Sequence, residues 1–414
     1  MRKNQYEICV FGLGFVGLTT AISFAEKNFK VIGIDKDKKN IENLNNGKIS
    51  FKEPHLKEKL KKNIKNKRLK LLRKFNFDEN KKYVIFICVG TPVKKNSEYD
   101  LSSVYEVCSY IKKNIKNSCY IFLKSTVLPG TVKYIKKGIL RNNQNIHICS
   151  NPEFLREGKS WQDFNKADKI VIGADDEDII KISKILYKNF SGKQIYVNYD
   201  TAEFIKQLSN AMLSSLISFS NNFAILAEKY KTINIKASFK AIQLDKRFFG
   251  KPAEISSYIY PGIGFGGYCL PKDIEAINKF SEKYNQNSFF NNVIKINDDI
   301  FKMHLKKIIQ KTNKNTLICI MGLSFKEKTD DIRHSKTIKL AKELLKRNYK
   351  KITLCDKYAY NQLSLLFKKN KIKILKKPLY NKNMIYILGQ KEKSYINFLK
   401  KVPKKQIIDT RYSL

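Results

Sequence analysis

The chain has 414 residues, 43% of them hydrophobic, and 81 Lys and Arg against 37 Asp and Glu give a formal net charge of +44. That length exceeds one ordinary core, so two or three domains are expected, and no apolar run approaches the ~20 residues that span a bilayer, so no membrane partner is expected. The lysines are dispersed among Asn and Ile, as at Lys82, Lys188, Lys240 and Lys306; they read as solvated surface and not as a nucleic-acid site, although the field they create would gather anionic small molecules.

Residues 6–11 read as a buried strand, followed by Gly12-Leu-Gly14-Phe-Val-Gly17, an amphipathic helix over 18–28 and a second strand over 30–34 that ends in Asp35. In such a unit Gly12 makes the tight turn, Gly14 admits a pyrophosphate and Gly17 lets the helix pack, while the helix N-terminus faces the phosphates. Asp35 would accept hydrogen bonds from ribose hydroxyls and repel a 2′-phosphate, so NAD is expected over NADP. The alternation continues with a strand over 83–89 before Gly90-Thr91-Pro92, a helix over 102–113, and a strand over 120–123 before Lys124-Ser125-Thr126. A strand over 147–149 leads into Asn151-Pro-Glu153-Phe154-Leu155-Arg156-Glu157-Gly158, and further strands are expected at 170–172 and 194–196. Polar residues just past the strand ends of an open parallel sheet line its ligand crevice, and Thr91, Thr126, Glu153 and Glu157 all stand there.

From residue 202 to about 230 a helical run without Pro or Gly carries Lys206 and Asn210 at i, i+4 on one face, long enough to serve as a linker and dimer element. A third unit starts near Lys314: strand 316–321, a loop through Arg333, helix 336–347 and strand 351–354 before Asp356, with later strands at 384–388 and 406–409. The expected fold is therefore α/β, two Rossmann-like doubly wound domains joined by a long central helix and a helical dimerisation domain. The boundaries are 1–199, 200–300 and 301–414.

Cys269 lies in Pro261-Gly-Ile-Gly-Phe-Gly-Gly-Tyr-Cys269-Leu-Pro-Lys272-Asp273. Glycine at that density lets backbone approach a bulky ligand, and a thiol beside a lysine at a helix start is a candidate thiolate. Cys9, Cys88, Cys119, Cys149, Cys319 and Cys355 lie in or beside strand-like runs and Cys108 in a helix, where cysteine behaves as a small hydrophobe. Without CxxC pairs, and with four histidines, the chain is expected to hold no metal and to work in a reducing cytoplasm; the first residues, Met-Arg-Lys-Asn, show no secretory signal.

These segments in this order resemble the nucleotide-sugar 6-dehydrogenases, the family of UDP-glucose 6-dehydrogenase and GDP-mannose 6-dehydrogenase, from residue 8 to about 335 with a plausible fit beyond. The resemblance implies two NAD-dependent oxidations of a sugar C6 alcohol to a carboxylate, through a Cys269 thiohemiacetal and a thioester that water hydrolyses. It implies that Lys206 and Asn210 stabilise oxyanionic species, that Asp273 and Thr126 hold water, and that Glu157 assists hydrolysis. For NAD it assigns Gly12, Gly14, Gly17, Asp35, Thr91, Thr126, Lys272 and Arg333. For the nucleotide sugar it assigns Glu153, Phe154, Leu155, Lys206, Asn210, Tyr258, Gly262, Gly266 and Lys326, with Arg247 supplied across a homodimer built on the central helix. Asn40 stands where relatives often carry a basic residue, His334 and Lys336 where they have Glu and Pro, and residues 248–257 form a longer segment than in relatives. Tyr268-Cys-Leu-Pro-Lys-Asp leans toward UDP-glucose, with GDP-mannose and UDP-N-acetylhexosamines as the alternatives. A non-catalytic NAD- or polyanion-binding protein would leave the Cys269, Lys206, Asn210 and Asp273 set without a purpose.

Overall fold

The computed structural model describes residues 6–230, 232–245, 260–282, 289–370 and 372–414. It contains two compact units, 1–208 and 209–414. The first is built on an eight-stranded sheet: β1 (Tyr6–Phe11), β2 (Val31–Ile34), β3 (Leu69–Leu72), β4 (Lys82–Ile87), β5 (Cys119–Leu123), β6 (Ile146–Ser150), β7 (Lys169–Gly173) and β8 (Lys193–Val197), in the order β3-β2-β1-β4-β5-β6-β7-β8. The central strands are near-continuous runs of Ile, Val, Phe and Cys and are buried along their length, as parallel strands covered on both faces must be. All pairings are parallel except β6 with β7. The β6–β7 connection carries only a six-residue helix in place of a full crossover, so the chain re-enters the sheet in the opposite direction. β3 had no counterpart in the sequence reading, because Leu69-Lys-Leu-Leu72 is embedded in a lysine-rich stretch.

Helices α1 (Phe15–Glu26), α2 (Lys38–Asn45), α3 (Leu56–Lys65), α4 (Ser102–Asn114), α5 (Thr131–Tyr134), α6 (Ser160–Asn165) and α7 (Glu177–Tyr187) belong to this unit. They leave two apolar layers. One gathers Leu18, Ile22 and Phe24 with Val84, Phe86 and Phe122; the other gathers Cys9, Ile85 and Ile87 with Val104, Cys108 and Ile111. Phe24 makes the first layer tight, with ring centroids 4.9 Å from Phe86 and 5.3 Å from Phe190. The chain leaves through α8 (Tyr199–Tyr230), a 32-residue helix within which the division between the units falls.

The second unit contains α9 (Ile235–Leu244), α10 (Cys269–Glu282) and α11 (Phe289–Lys311). Its five-stranded parallel sheet is made of β9 (Leu317–Met321), β10 (Ile352–Cys355), β11 (Lys373–Leu375), β12 (Met384–Leu388) and β13 (Ile407–Asp409), in the order β11-β10-β9-β12-β13. α12 (Lys336–Lys346), α13 (Tyr360–Leu366) and α14 (Lys393–Leu399) cover it. Both sheets open with the same device. Gly12 N–H donates to Ile34 O and Leu13 N–H to the Asp35 carboxylate at 2.8 Å; Gly322 N–H donates to Cys355 O and Leu323 N–H to the Asp356 carboxylate at 2.7 Å. A glycine turn after the first strand is thus tied in each sheet to an acid after the second, which makes both units Rossmann-like. No helix among the described residues is long and apolar enough to cross a membrane.

Candidate functional site

In the first unit the glycine loop has the shape of a phosphate cradle. Gly12 has φ +85°, and a Cβ there would stand 2.9 Å from the Val89 backbone; at Gly17 it would stand 1.7 Å from Gly12 O. Gly14 faces open space, and the α1 N-terminus receives no side-chain cap among the described residues, so its amides remain for an anion. Asp35 is partly committed within the protein: Leu13 N–H, Asp37 N–H and Asn40 Nδ2 donate to it at 2.8, 3.0 and 3.2 Å. Asn40, the departure from the family pattern, therefore helps fix the acid. Thr91, buried, donates from Oγ1 to Thr126 O at 2.8 Å, and Ser125 Oγ donates to Val89 O at 2.7 Å. The two threonines thus lie on loops tied to each other at the ends of β4 and β5. This cradle, with an acid after the second strand, fits a dinucleotide.

Beside it, Glu153 and Lys206 form an ion pair at 3.0 Å with side chains only 7% and 5% exposed. Glu153 also accepts Leu155 N–H at 2.6 Å, and Lys206 Nζ lies 5.4 Å from the centre of the Phe154 ring. The Leu155 and Glu157 side chains are half-buried on the same loop. Lys124, buried, donates to Asn151 Oδ1 at 3.2 Å, and burial pushes its pKa down. Glu203, one turn before Lys206, accepts Gly130 N–H at 2.8 Å and Val132 N–H at 2.9 Å, and burial pushes its pKa up to about 7. Gln207 donates to Val127 O at 3.0 Å. The first turns of α8 therefore grip the segment that follows Thr126.

In the second unit α10 begins at Cys269, which places Cys269, Lys272 and Asp273 at i, i+3 and i+4 on one face. Cys269 is exposed; Lys272 and Asp273 are buried and paired with each other, and Asn210 Nδ2 donates to the second Asp273 oxygen. The Arg333 guanidinium stacks 4.7 Å from the centre of the Tyr268 ring, next to the thiol, and is held by Asp331. The loop before Cys269 is clamped by Asn297, which accepts Phe265 N–H at 2.7 Å and donates back to Phe265 O at 3.2 Å. A Cβ on Gly266 would stand 2.4 Å from His334 O. Lys326 is half-buried, and Ser324 and Thr329 donate to its carbonyl. Arg247, Tyr258 and residues 248–257 lie outside the described residues.

Around Gly262 the structure gathers residues that sequence reading missed. Gly262 N–H donates to Asn221 Oδ1 at 2.8 Å, and a Cβ on Gly262 would stand 2.5 Å from the Arg411 guanidinium. Asn221 Nδ2, Arg411 Nε and Tyr412 Oη are buried without hydrogen-bond partners among the described residues, and His304 is buried against the Tyr412 ring. Burial pushes His304 down to about 3, so it is neutral. The signal for Arg411 was its place two residues past the last strand, where ligand-binding groups of an α/β sheet collect.

Two Rossmann-like units, a phosphate cradle and a separate thiol-bearing helix define a dinucleotide-dependent dehydrogenase. The description "UDP-glucose/GDP-mannose dehydrogenase family" matches three successive parts of the chain: its NAD-binding domain over residues 6–191, its central domain over 200–299 and its UDP-binding domain over 319–414. The chain is 34% identical over 368 residues to the putative UDP-glucose 6-dehydrogenase YtcA of Bacillus subtilis, covering 87% of this chain and 82% of that protein. It is likewise 34% identical over 386 residues to UDP-glucose 6-dehydrogenase of Rickettsia conorii, covering 92% and 84%. Its fold matches the solved UDP-glucose dehydrogenase of Pyrobaculum islandicum with a TM-score of 0.87 at 26% identity, over 99% and 95% of the two chains. The chain therefore belongs to the UDP-glucose/GDP-mannose dehydrogenase family and is an NAD-dependent dehydrogenase of nucleotide sugars.

Proposed function

We propose that the chain oxidises the C6 alcohol of UDP-glucose to the carboxylate in two successive steps, with Cys269 as the acyl carrier. The observation that carries this reading is the exposed Cys269 at the first position of α10, followed on the same face by the buried Lys272–Asp273 pair that Asn210 joins. NAD, when bound at Gly12, Gly14, Gly17, Asp35, Thr91, Thr126, Lys272 and Arg333, supplies the hydride acceptor, and two equivalents balance alcohol to acid. Cys269 Sγ adds to the C6 aldehyde, and the oxyanion formed takes a proton to give a thiohemiacetal. Its oxidation leaves a thioester, and water cleaves the C–S bond, releasing the carboxylate and restoring the thiol. A helix N-terminus favours the thiolate. Lys206 and Asn210 stabilise developing negative charge, Asp273 and Thr126 hold the water that carries protons, and Glu157 assists hydrolysis, while Glu153 orients Lys206 and the substrate loop.

Phe154, Leu155, Gly262, Gly266, Lys326, Tyr258 and a partner copy's equivalent of Arg247 complete the substrate contacts in this reading. Arg411, whose Nε beside Gly262 has no hydrogen-bond partner among the described residues, supports binding of an anionic diphosphate there. The functional division is 1–199 for the cofactor, 200–300 for the thiol and dimerisation, and 301–414 for the nucleotide. A homodimer through α8 is supported by Phe204, Leu208, Met212, Phe219 and Phe223, each 46–56% exposed along that helix. A working thiol suits the reducing cytoplasm. The names of the curated relatives favour UDP-glucose over GDP-mannose or UDP-N-acetylhexosamines.

The test is NADH appearance with UDP-glucose, GDP-mannose and UDP-N-acetylhexosamines. UDP-glucose is expected to react fastest and to yield two NADH per acid, and Cys269→Ser is expected to stall after the first oxidation. One NADH per sugar with free aldehyde, or full turnover by the serine variant, defeats the scheme.

A further inference from the structure

The loop between β6 and α6 carries Glu153 and Glu157, and its far end is held by a carboxylate distant in sequence. Glu53, only 8% exposed, accepts the N–H of Gly158, the N–H of Ser160 at 3.1 Å and the Ser160 hydroxyl at 2.9 Å. Ser160 Oγ in turn stands 3.2 Å from Thr19 Oγ1 on α1, the helix that opens at the phosphate cradle. On the other side of Glu157, Asp163 accepts Arg156 N–H at 2.8 Å and its guanidinium at 2.7 Å. Glu157 is therefore the residue between two braced neighbours. Gly158 has φ +83°, a conformation that the chain holds here with the help of that brace. Three donors converging on one buried carboxylate make a charge-assisted arrangement, stronger than the neutral hydrogen bonds of an ordinary loop. Nothing in the chemistry above uses Glu53.

We propose that Glu53 is a positioning residue: it fixes the backbone from which Glu157 projects and anchors the substrate loop on the cofactor helix through Ser160 and Thr19. The brace itself stands on the geometry alone; that the loop contacts a nucleotide sugar rests on the reading given under Proposed function.

The test compares Glu53→Gln and Glu53→Asp with the parent by hydrogen exchange and by steady-state kinetics. Glutamine keeps the volume and one acceptor but turns an NH2 toward the Gly158 and Ser160 amides. Exchange in residues 151–160 is expected to rise at least about tenfold, with α1 and β1 unchanged, and the KM for UDP-glucose to rise about tenfold while the KM for NAD stays within about twofold. Aspartate, which keeps the charge, is expected to restore part of both. Unchanged exchange overturns the proposal, as does faster exchange with an unchanged KM. A loss of protection throughout the unit, with both KM values rising together, also overturns it, because Glu53 would then be a general stabiliser. If the parent protein oxidises no nucleotide sugar, the functional reading fails while the exchange experiment still decides the brace.

Discussion

Lys206→Met removes one partner of an ion pair whose two side chains are 5% and 7% exposed, at an N–O distance of 3.0 Å. Methionine fills most of the volume, so the perturbation is mainly electrostatic: Glu153 keeps its Leu155 N–H but loses its cation. Breaking a buried pair in this way costs roughly 3–5 kcal/mol, because a desolvated charge is left behind. Lys124 moves the expected value to the low end. It is buried, attracted by Glu153 and repelled by Lys206, so removing Lys206 relieves one strain and leaves a cation for Glu153. A loss of about 3 kcal/mol is expected, which for a unit of this size lowers the melting temperature by roughly 6–12 °C. Urea unfolding followed by far-UV circular dichroism measures it, with Glu153→Gln and the double variant closing the cycle. The double variant should be more stable than the sum of the single changes predicts by at least about 1 kcal/mol. A single-variant cost below about 1 kcal/mol, or simple additivity, refutes the buried-pair reasoning.

Glu203 offers a pH signature. Its folded-state pKa of about 7 lies above its ordinary 4.5, so its contribution is full below about 4.5 and is lost as pH rises through about 7, a fall of about 3 kcal/mol; Glu203→Gln should flatten that part of the stability profile, and an unchanged slope counts against the assignment. His304 has the opposite sign. Its folded pKa of about 3 lies below 6.5, so stability present above 6.5 drains away by roughly 5 kcal/mol on acidification toward 3, and His304→Leu should resist acid better than the parent in thermal melts. Asp35→Ser should lower kcat/KM for NAD at least about tenfold and narrow the preference over NADP; a parent enzyme that already prefers NADP contradicts the role given to the acid. Gly12→Ala puts a Cβ against the Val89 backbone at a φ that L side chains rarely adopt, and should abolish tight NAD binding in a titration followed by tryptophan fluorescence.

The parts of the molecule visible in the sequence are those whose chemistry is local. The glycine turn, α1 and the acid after β2 lie within 30 residues, and the buried strands announce themselves as runs of Ile, Val, Phe and Cys. The start of α10 at Cys269 and the burial of the other seven cysteines follow from the same kind of signal. What the sequence hid is partnership at a distance. Glu53 reads as a surface residue in Phe-Lys-Glu-Pro until the fold brings Gly158 and Ser160 to it. Glu203 looks like any acid in an amphipathic helix until the Gly130 and Val132 amides point at it. Asp35 was legible as an acid in the right place, but not as one already engaged by Leu13 and Asn40. The reversed β7 depended on the length of a connection and on no residue in the strand.

The cysteines of this chain also sort themselves by reach. Cys88, Cys108, Cys119 and Cys319 are buried and pushed up to about 12, and burial raises Cys9, Cys149 and Cys355 as well, whereas Cys269 alone is exposed. Alkylating reagents and peroxide act on accessible thiolate. In the folded protein they meet one target in eight, and it is the one on which turnover is proposed to depend. The molecule carries no sacrificial thiols on its surface: each oxidant molecule consumed removes one working centre. Incorporated label therefore counts competent sites directly, and a second equivalent of label reports that the core has opened.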